Sequence, residues 1–298
     1  MTRAQIALLP DQKRLHLQDG PIDLIIEAFG PAAVVRAAYR AATTRFVTIL
    51  DELCAELTLL RAPAVPGHCL LKGAIARRMH VAVKPYAAEV FITPMAAVAG
   101  AVAEEVLATM VAAAPLARAY VNNGGDIALH IAPGESFKIG MANRPDRPAL
   151  FGSATLHAEE PVRGIATSGW RGRSFSLGIA DAVTVLADTA ARADAAATVI
   201  ANAVDVPDHP DVQRVPACEL QPDSDLGSRL VTRSVPQLSE AEIDEALTTG
   251  LACAEQVLAR GLITAAALHL QGKTRFTGAM TSLPMPGLFD TEGLRAHG

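Results

Sequence analysis

Aromatic residues are scarce in this chain of 298 residues: one Trp, three Tyr and eight Phe make up 4% of it, although half of it is apolar. A core with so few rings must be filled by Ala, Val, Leu and Ile. Cysteine is sparse too. Cys54, Cys69, Cys218 and Cys253 are far apart and form no Cys-x-x-Cys pair, which argues against a zinc site and for buried free thiols in a reducing compartment. Positive charge is not in excess: 26 Lys and Arg against 31 Asp and Glu give a net charge of −5, with no basic stripe of the kind a nucleic-acid partner requires. The start, Met1-Thr-Arg-Ala-Gln-Ile, lacks the basic-then-apolar order of a signal peptide. The most apolar helical run, around Ala96 to Ala114, is interrupted by Glu104 and Glu105 and reads as too polar at its centre to span a bilayer. Missing as well are a Gly-x-Ser-x-Gly elbow, a P-loop and a Gly-x-Gly-x-x-Gly after a strand. The expectation is a soluble cytoplasmic chain with no nucleic-acid and no membrane partner.

What is present is a strong alternation of patterns. Residues 4–29 alternate apolar and polar around Pro10-Asp11 and Asp19-Gly20-Pro21, which predicts two or three antiparallel strands. Gly30-Pro31 then opens a long helix to about Leu60, with Val34, Val35, Ala38, Ala42, Phe46, Ile49, Leu50 and Leu53 at helical spacing. A second helix is expected from Gly73 to Val83. A third starts at Thr93-Pro94, with Thr93 as cap and Pro94 at the first position. From Ala117 to about Ala187 the pattern is strand-like, at Ala119–Asn122, Ile127–Ile131, Phe137–Gly140, Val162–Thr167, Phe175–Ile179 and Ala182–Leu186. Ala190 to Val204 is helical, and Asp205 to Pro236, rich in Pro, Asp and Ser, reads as a long covering excursion. Ser239 followed by Glu242 is a capping box that starts another helix. Leu262–Leu270 and Thr274–Phe276 close the chain as a strand pair around Gln271-Gly272-Lys273. Segregated strand and helix groups predict an α+β fold with helices on antiparallel sheet. No domain boundary is evident, so 1–298 reads as a single domain, with an N-terminal hairpin and long helix over 1–62 and a C-terminal arm over 237–280.

Three loops carry the chemistry. Tyr120-Val-Asn-Asn-Gly-Gly-Asp-Ile127 brings backbone to a close approach, because glycine has no Cβ and tolerates positive φ. Asn122, Gly124, Gly125 and Asp126 would present amides and one carboxylate to a ligand; as spacing alone, they equally make a tight turn between two strands. Thr167, Ser168 and Gly169 offer two hydroxyls and free amides, suited to a pyrophosphate and also to ordinary turn chemistry. Asp194 and Thr198, four apart, share one helix face and can share one ion; the plain alternative is an acid near a helix N-terminus and a threonine bonded to its own helix. Trp170 could stack on a flat ring or pack in the core. The arginines of 163–173 are local and at most meet a phosphate. His80, His130 and His157 have no partner at ligand spacing and read as structural or surface residues.

In their order, Val-Asn-x-Gly-Gly-Asp-Ile, Ala-Thr-Ser-Gly, Val-Thr-Val and Ala-Asp-x-x-x-Thr resemble the FAD:protein FMN transferase (ApbE) superfamily. Met95-Ala-Ala-Val-Ala-Gly-Ala-Val-Ala-Glu104 resembles a degenerate form of that family's Gly-Ala-Ile-Ala-Lys-Gly-x-x-x-Asp helix, and the likeness covers about residues 90–205. The resemblance implies an ApbE-like architecture and a Mg²⁺ site at Asp194 and Thr198, completed by a backbone carbonyl for which Ala96 is the nearest candidate. It also implies a ligand-binding acid at Glu104, a small phosphorylated ligand, and FAD or FMN as the cofactor class. One carboxylate, one hydroxyl and one carbonyl hold Mg²⁺ weakly, so metal is expected only together with the ligand's phosphates.

The chain departs from that family where the chemistry is done. Its His-Ile-Ile-Asp-Pro-x-Thr-Gly strand is replaced by Arg173-Ser-Phe-Ser-Leu-Gly-Ile-Ala-Asp-Ala-Val-Thr-Val185, and Ala99 stands where the helix lysine would be. Asp181, or else Asp126, is then the candidate base. Three activities stay open: a divergent Mg²⁺-dependent transferase or nucleotide hydrolase, a non-catalytic cofactor-binding or assembly protein, and a true FAD:protein FMN transferase with an unidentified protein acceptor. Alanine-rich helical faces are compatible with a homo-oligomer.

Overall fold

A computed structural model describes residues 3–67, 69–142 and 150–278. The outermost parts of the 1–298 span and of the 237–280 arm, residues 1–2 and 279–298, lie outside the described residues.

The strands are β1 (Gln5–Leu8), β2 (Leu15–Asp19), β3 (Ile22–Phe29), β4 (Arg118–Asn123), β5 (Asp126–Ile131), β6 (Ser136–Ala142), β7 (Leu150–His157), β8 (Gly164–Ser168), β9 (Ala182–Ala187), β10 (Gln213–Pro216), β11 (Leu230–Ser234), β12 (Ala265–Leu270) and β13 (Lys273–Gly278). The helices are α1 (Ala32–Ala55), α2 (Leu57–Leu60), α3 (Ala74–Val83), α4 (Val98–Ala113), α5 (Ala190–Ala203), α6 (Ala217–Leu220) and α7 (Glu240–Ala259). Nine strands form one sheet in the order β1-β2-β3-β4-β5-β8-β9-β12-β13. Every neighbouring pair in it runs antiparallel. The α+β expectation holds.

Each face of the sheet has its own core. In β3, Ile22, Leu24, Ile26 and Ala28 are buried and the residues between them are half-exposed, so the alternation points one edge of each strand at the helices. Helix α1 answers with Ala38, Ala42, Phe46, Ile49 and Leu53, one stripe at helical spacing. Nearer the centre, β9 is buried at all six positions, because its second face is covered as well. That second face holds a smaller core, in which Leu129, Ile131, Ile165, Leu186, Ala265 and Ala267 meet Leu156, Phe137 and Ile139 of the β6–β7 hairpin.

Scarcity of rings is compensated by close backbone approach. Seven alanines of α5 are buried, and a Cβ added to Gly100 of α4 would lie 2.3 Å from the Ala190 carbonyl oxygen. A Cβ on Gly164 of β8 would lie 2.1 Å from the Thr189 carbonyl carbon. Helix α4 follows a 3₁₀ turn, Pro94–Ala97, capped by the Thr93 hydroxyl, which accepts the Met95 amide at 3.2 Å. The stretch Pro94–Ala113 is long and apolar enough to cross a membrane. In this fold it packs against α1, α3, α5, β4 and β5, with Glu104 paired to Arg78 and Glu105 to Arg45.

Several expectations change. The four cysteines, expected to be buried, are exposed (Cys54, Cys69) or half-buried (Cys218, Cys253), and the long helix expected to about Leu60 breaks at Glu56 into α1 and α2. Phe175–Ile179 is not a strand: its amides go to the end of α5, Leu177 N to Asn202 Oδ1 at 2.9 Å and Ile179 N to the Val204 carbonyl at 2.8 Å. An added Cβ on Gly178 would lie 2.3 Å from the Ala201 carbonyl oxygen, so this apolar segment is shaped by a helix terminus. The excursion 205–236 carries the β10–β11 pair and α6, which the Pro- and Asp-rich composition conceals.

Candidate functional site

A cavity of about 830 Å³ opens where β5 begins and β8 ends, beneath the β6–β7 hairpin. Its apolar part is made by Ile127, Leu129 and Ile165 of the sheet facing Phe137 and Ile139 of β6. Tyr120 closes that part, its ring edge-on to Phe137 at 6.2 Å and its hydroxyl donating to Glu27 Oε2 at 3.2 Å. Burial, with the Glu27 charge second, pushes the Tyr120 phenol up to about 12.

The polar part has an acidic floor. Asp126, first residue of β5, accepts the Thr167 amide at 3.3 Å. Asp194, from the second turn of α5, accepts the Gly100 amide at 3.0 Å, at the start of α4. Both line the cavity together with Thr198, one turn further along α5. Both are partly buried, and burial pushes the Asp126 carboxyl up to about 7. Asp194 is pushed well above the usual carboxylate range, by burial first and then by the neighbouring Asp126 charge. Two carboxylates that resist ionisation side by side form a site that a cation would relieve.

The turn that delivers Asp126 is fixed by its own residues. Asn122 Oδ1 accepts the Gly125 amide at 2.8 Å, while Gly124 and Gly125 take φ of 66° and 118°, a region that favours glycine. Asn123 Nδ2 donates to the Ala99 carbonyl at 3.2 Å, tying the turn to the N-terminus of α4.

Across from the floor lies a loop with a closed neck. The Trp170 amide donates to the Ala180 carbonyl at 3.0 Å, and Arg171 Nε donates to Asp181 Oδ1 at 2.7 Å. Arg171 also lies over the Trp170 ring, 4.2 Å from its centre. The loop brings Arg171, Gly172, Arg173 and Ser174 to the cavity, and the hairpin adds Lys138. Arg173 passes over Gly124, where an added Cβ would lie 2.9 Å from Nη1.

Of the residues expected at a site, Asn122, Gly124, Gly125, Asp126, Thr167, Ser168, Gly169, Asp194 and Thr198 line this one cavity. Glu104, Ala96 and Asp181 do not. Glu104 Oε1 instead accepts the Ala191 amide at 2.7 Å and Oε2 pairs with Arg78 at 3.0 Å, capping α5 as Asp194 caps α4. The amide facing Asp194 belongs to Gly100, downstream of Ala96. Asp181 is 3% exposed, and both its oxygens are engaged, Oδ1 by Arg171 and Oδ2 by the Gln271 amide at 2.7 Å. Trp170 stacks on Arg171 outside the cavity lining. Lys138 escapes sequence reasoning, since only the folded hairpin brings β6 over β5; Tyr120 stands in the motif read from sequence but without a role there, and Arg171 and Arg173 had a signal in the glycine-flanked Gly169-Trp-Arg-Gly-Arg173.

A family model described as AbpE bacteria matches residues 6–276. UPF0280 protein MK0206 of Methanopyrus kandleri is 37% identical over 182 residues, 60% of this chain and 69% of that protein. A UPF0280 protein of Methanoculleus marisnigri is 38% identical over 167 residues, 55% of this chain and 67% of its own length. For the UPF0280 protein of Methanococcoides burtonii, 36% identical over 127 residues, the match spans 39% of this chain and under half of the relative, 47%. Among solved structures, the apo form of Pseudomonas stutzeri flavinyl transferase ApbE aligns with 96% of this chain and 97% of its own at 14% identity, with a TM-score of 0.47.

Proposed function

Because the chain belongs to the AbpE bacteria family and thereby to the ApbE-like superfamily, we propose that its cavity holds a phosphorylated ligand of the flavin-nucleotide class together with a divalent cation. The observation that carries this is the meeting of Asp126, Asp194 and Thr198, from a strand and a helix 68 residues apart at the acids, on one wall of one cavity. The donor set fits a hard cation: two carboxylates and a hydroxyl, all oxygen, and no thiolate or imidazole among the described lining residues. Asp126, Asp194 and Thr198 would hold such a cation, which would supply positive charge to offset the acids and the ligand's phosphates.

The chain's own residues divide the remaining tasks. At the end of β8, Thr167 and Ser168 offer hydroxyls and Gly169 its amide to phosphate oxygens, the Thr167 amide being held by Asp126. The slot between Ile127, Leu129 and Ile165 on one side and Phe137 and Ile139 on the other takes a flat apolar ring and excludes water from it. Asp126 and Asp194, partly buried and close enough to raise one another's cost of ionisation, bind the cation in exchange for protons.

The test is to incubate purified protein with FAD, with and without Mg²⁺, and follow bound flavin, FMN and AMP. Mg²⁺-dependent binding that Asp194→Asn abolishes is expected; flavin binding of wild type and variant that is equal with and without Mg²⁺ would sink the assignment. A second outcome of the same experiment, binding without cleavage, favours a cofactor carrier. The observation behind it is specific: none of the described lining residues is a histidine or cysteine, and Asp181 is occupied by Arg171. Covalent flavin on a co-purified protein would single out a transferase.

A further inference from the structure

We infer that Thr184 of β9 is a positioning residue: its hydroxyl donates to Thr167 and so turns the Thr167 proton toward the ligand. This role rests on the cavity being a site for a phosphorylated ligand. Strand β9 reads Ala-Val-Thr-Val-Leu-Ala and is buried at all six positions, so Thr184 carries its one hydrogen-bonding side chain. A hydroxyl buried in so apolar a strand has to be paired, whereas a valine of the same shape would need no partner. Thr184 Oγ1 lies 2.9 Å from Thr167 Oγ1, and the two residues stand directly opposite each other in the β8–β9 ladder. The other neighbours on that face offer no side-chain acceptor. Ala182 and Leu186 flank Thr184 along β9, and Ala267 stands opposite it on β12.

Burial decides which of the two hydroxyls donates. Thr184 is 4% exposed, and Thr167 Oγ1 is the one acceptor it meets among the described residues. Thr167 is half-buried at the end of β8 and lines the cavity, so its own proton has another place to go. With Thr184 as donor, both protons are used, one within the pair and one on an oxygen of the ligand. With Thr167 as donor, the Thr184 proton is left without an acceptor among these residues. The Thr167 amide is held too, by Asp126 Oδ1 at 3.3 Å, so backbone and hydroxyl are both fixed before a ligand arrives. The site thereby presents an oriented donor, suited to an unprotonated phosphate oxygen. Thr184 also borders the cavity, and a direct contact between it and the ligand is the competing arrangement.

A double-mutant cycle separates the two. FAD and the phosphate-free riboflavin are titrated with Mg²⁺ against wild type, Thr184→Val, Thr167→Val, the double variant and Thr184→Ser. Valine keeps the shape and strand preference of threonine, so the fold is retained. Thr167→Val is expected to weaken FAD binding by about tenfold and Thr184→Val by about three- to tenfold, with riboflavin binding unchanged in both. In the Thr167→Val background, Thr184→Val should add nothing, and Thr184→Ser should bind FAD as wild type does. A Thr184→Val loss that persists in full in the Thr167→Val background would mean direct contact and overturn the positioning role. Equal weakening of riboflavin and FAD would reduce Thr184 to a part of the fold, and FAD bound by Thr184→Val as tightly as by wild type would remove it from the site. Inorganic pyrophosphate, titrated with Mg²⁺ in parallel, separates this role from the flavin reading. Wild type that binds pyrophosphate but neither flavin overturns the flavin reading alone. The same pattern of variants on pyrophosphate then supports the Thr184 assignment, and its absence overturns it. Wild type that binds no probe overturns both.

Discussion

Asp194 and Gly100 meet across the junction of two helices: the Asp194 carboxylate accepts the Gly100 amide at 3.0 Å, in the first turn of α4. That amide would otherwise be one of the orphan donors of a helix start, and the helix dipole favours a negative charge there. The contact requires a glycine. An added Cβ at Gly100 would stand 2.3 Å from the Ala190 oxygen and 2.7 Å from the Ala191 nitrogen, both backbone atoms that cannot turn aside. Gly100→Ala is therefore expected to destabilise the fold by about 1–3 kcal/mol or more through overpacking. Urea unfolding checks this: the midpoint should fall with little change in slope. An unchanged midpoint would mean that α4 and α5 separate at little cost.

Asp194 thus serves the fold as well as the proposed cation site, which decides how to test it. Asp194→Ala removes a capping acceptor, worth about 1 kcal/mol, so any loss of ligand binding would be mixed with loss of structure. Asp194→Asn keeps an oxygen for the Gly100 amide and removes the charge. It should leave thermal stability without Mg²⁺ equal or higher, since a carboxylate held well above its usual range is released from that position. Mg²⁺ and FAD together are expected to raise the melting temperature of wild type, and that rise should vanish in the variant. Persistence of that rise would remove Asp194 from the cation site.

The acidic floor also sets a pH dependence with a definite sign. Burial raises the Asp126 carboxyl to about 7, against about 3.9 for the unfolded chain. Between these values the folded protein holds a proton that the unfolded protein has given up, so stability falls as pH rises through that window and levels off above it. Melting curves in EDTA at about pH 5 and about pH 8 should place the higher midpoint at the lower pH. Asp126→Asn should narrow the gap, and doubly so, because Asp126 is itself one cause of the upward shift of Asp194. A higher midpoint at pH 8 in EDTA would contradict the burial of this pair.

The parts of the molecule that were legible in the sequence are those whose pattern has a local cause. The alternation Ile22, Leu24, Ile26, Ala28 gave β3, and Ser239 with Glu242 gave the start of α7, where both halves of the capping box form. Two loops, at Asn122–Asp126 and Thr167–Gly169, and one helix face, Asp194 with Thr198, were legible separately, and residues of all three line one cavity. What was not legible has a tertiary cause. Phe175–Ile179 is apolar because it lies against the end of α5, not because it pairs in a sheet. Glu104 has the charge of a ligand-binding residue, but the Ala191 amide and Arg78 use it. Lys138 carries no sequence signal, since its place at the cavity depends on the whole β6–β7 hairpin folding back over β5.

Asp181 is the residue for which sequence and structure suggest different tasks, and one variant separates them. As the one acid of the segment that stands where the family's histidine strand would be, it suggests a proton-transfer group. In the fold it is 3% exposed, outside the cavity lining, and bonded to Arg171 Nε and the Gln271 amide. Held this way it fixes Arg171, which does line the cavity, and closes the neck of the loop that carries Arg173. Asp181→Asn keeps the acceptor for one of these donors and removes the charge that holds the guanidinium, so FAD affinity in the presence of Mg²⁺ should drop about tenfold while any cleavage rate at saturating FAD stays within a few-fold of wild type. A base would give the opposite division. If Asp181→Asn bound FAD as wild type does and cleavage fell by about 10²–10⁴, Asp181 would have to reach the ligand by a rearrangement of the 170–180 loop, and the ion pair with Arg171 would be a resting arrangement only.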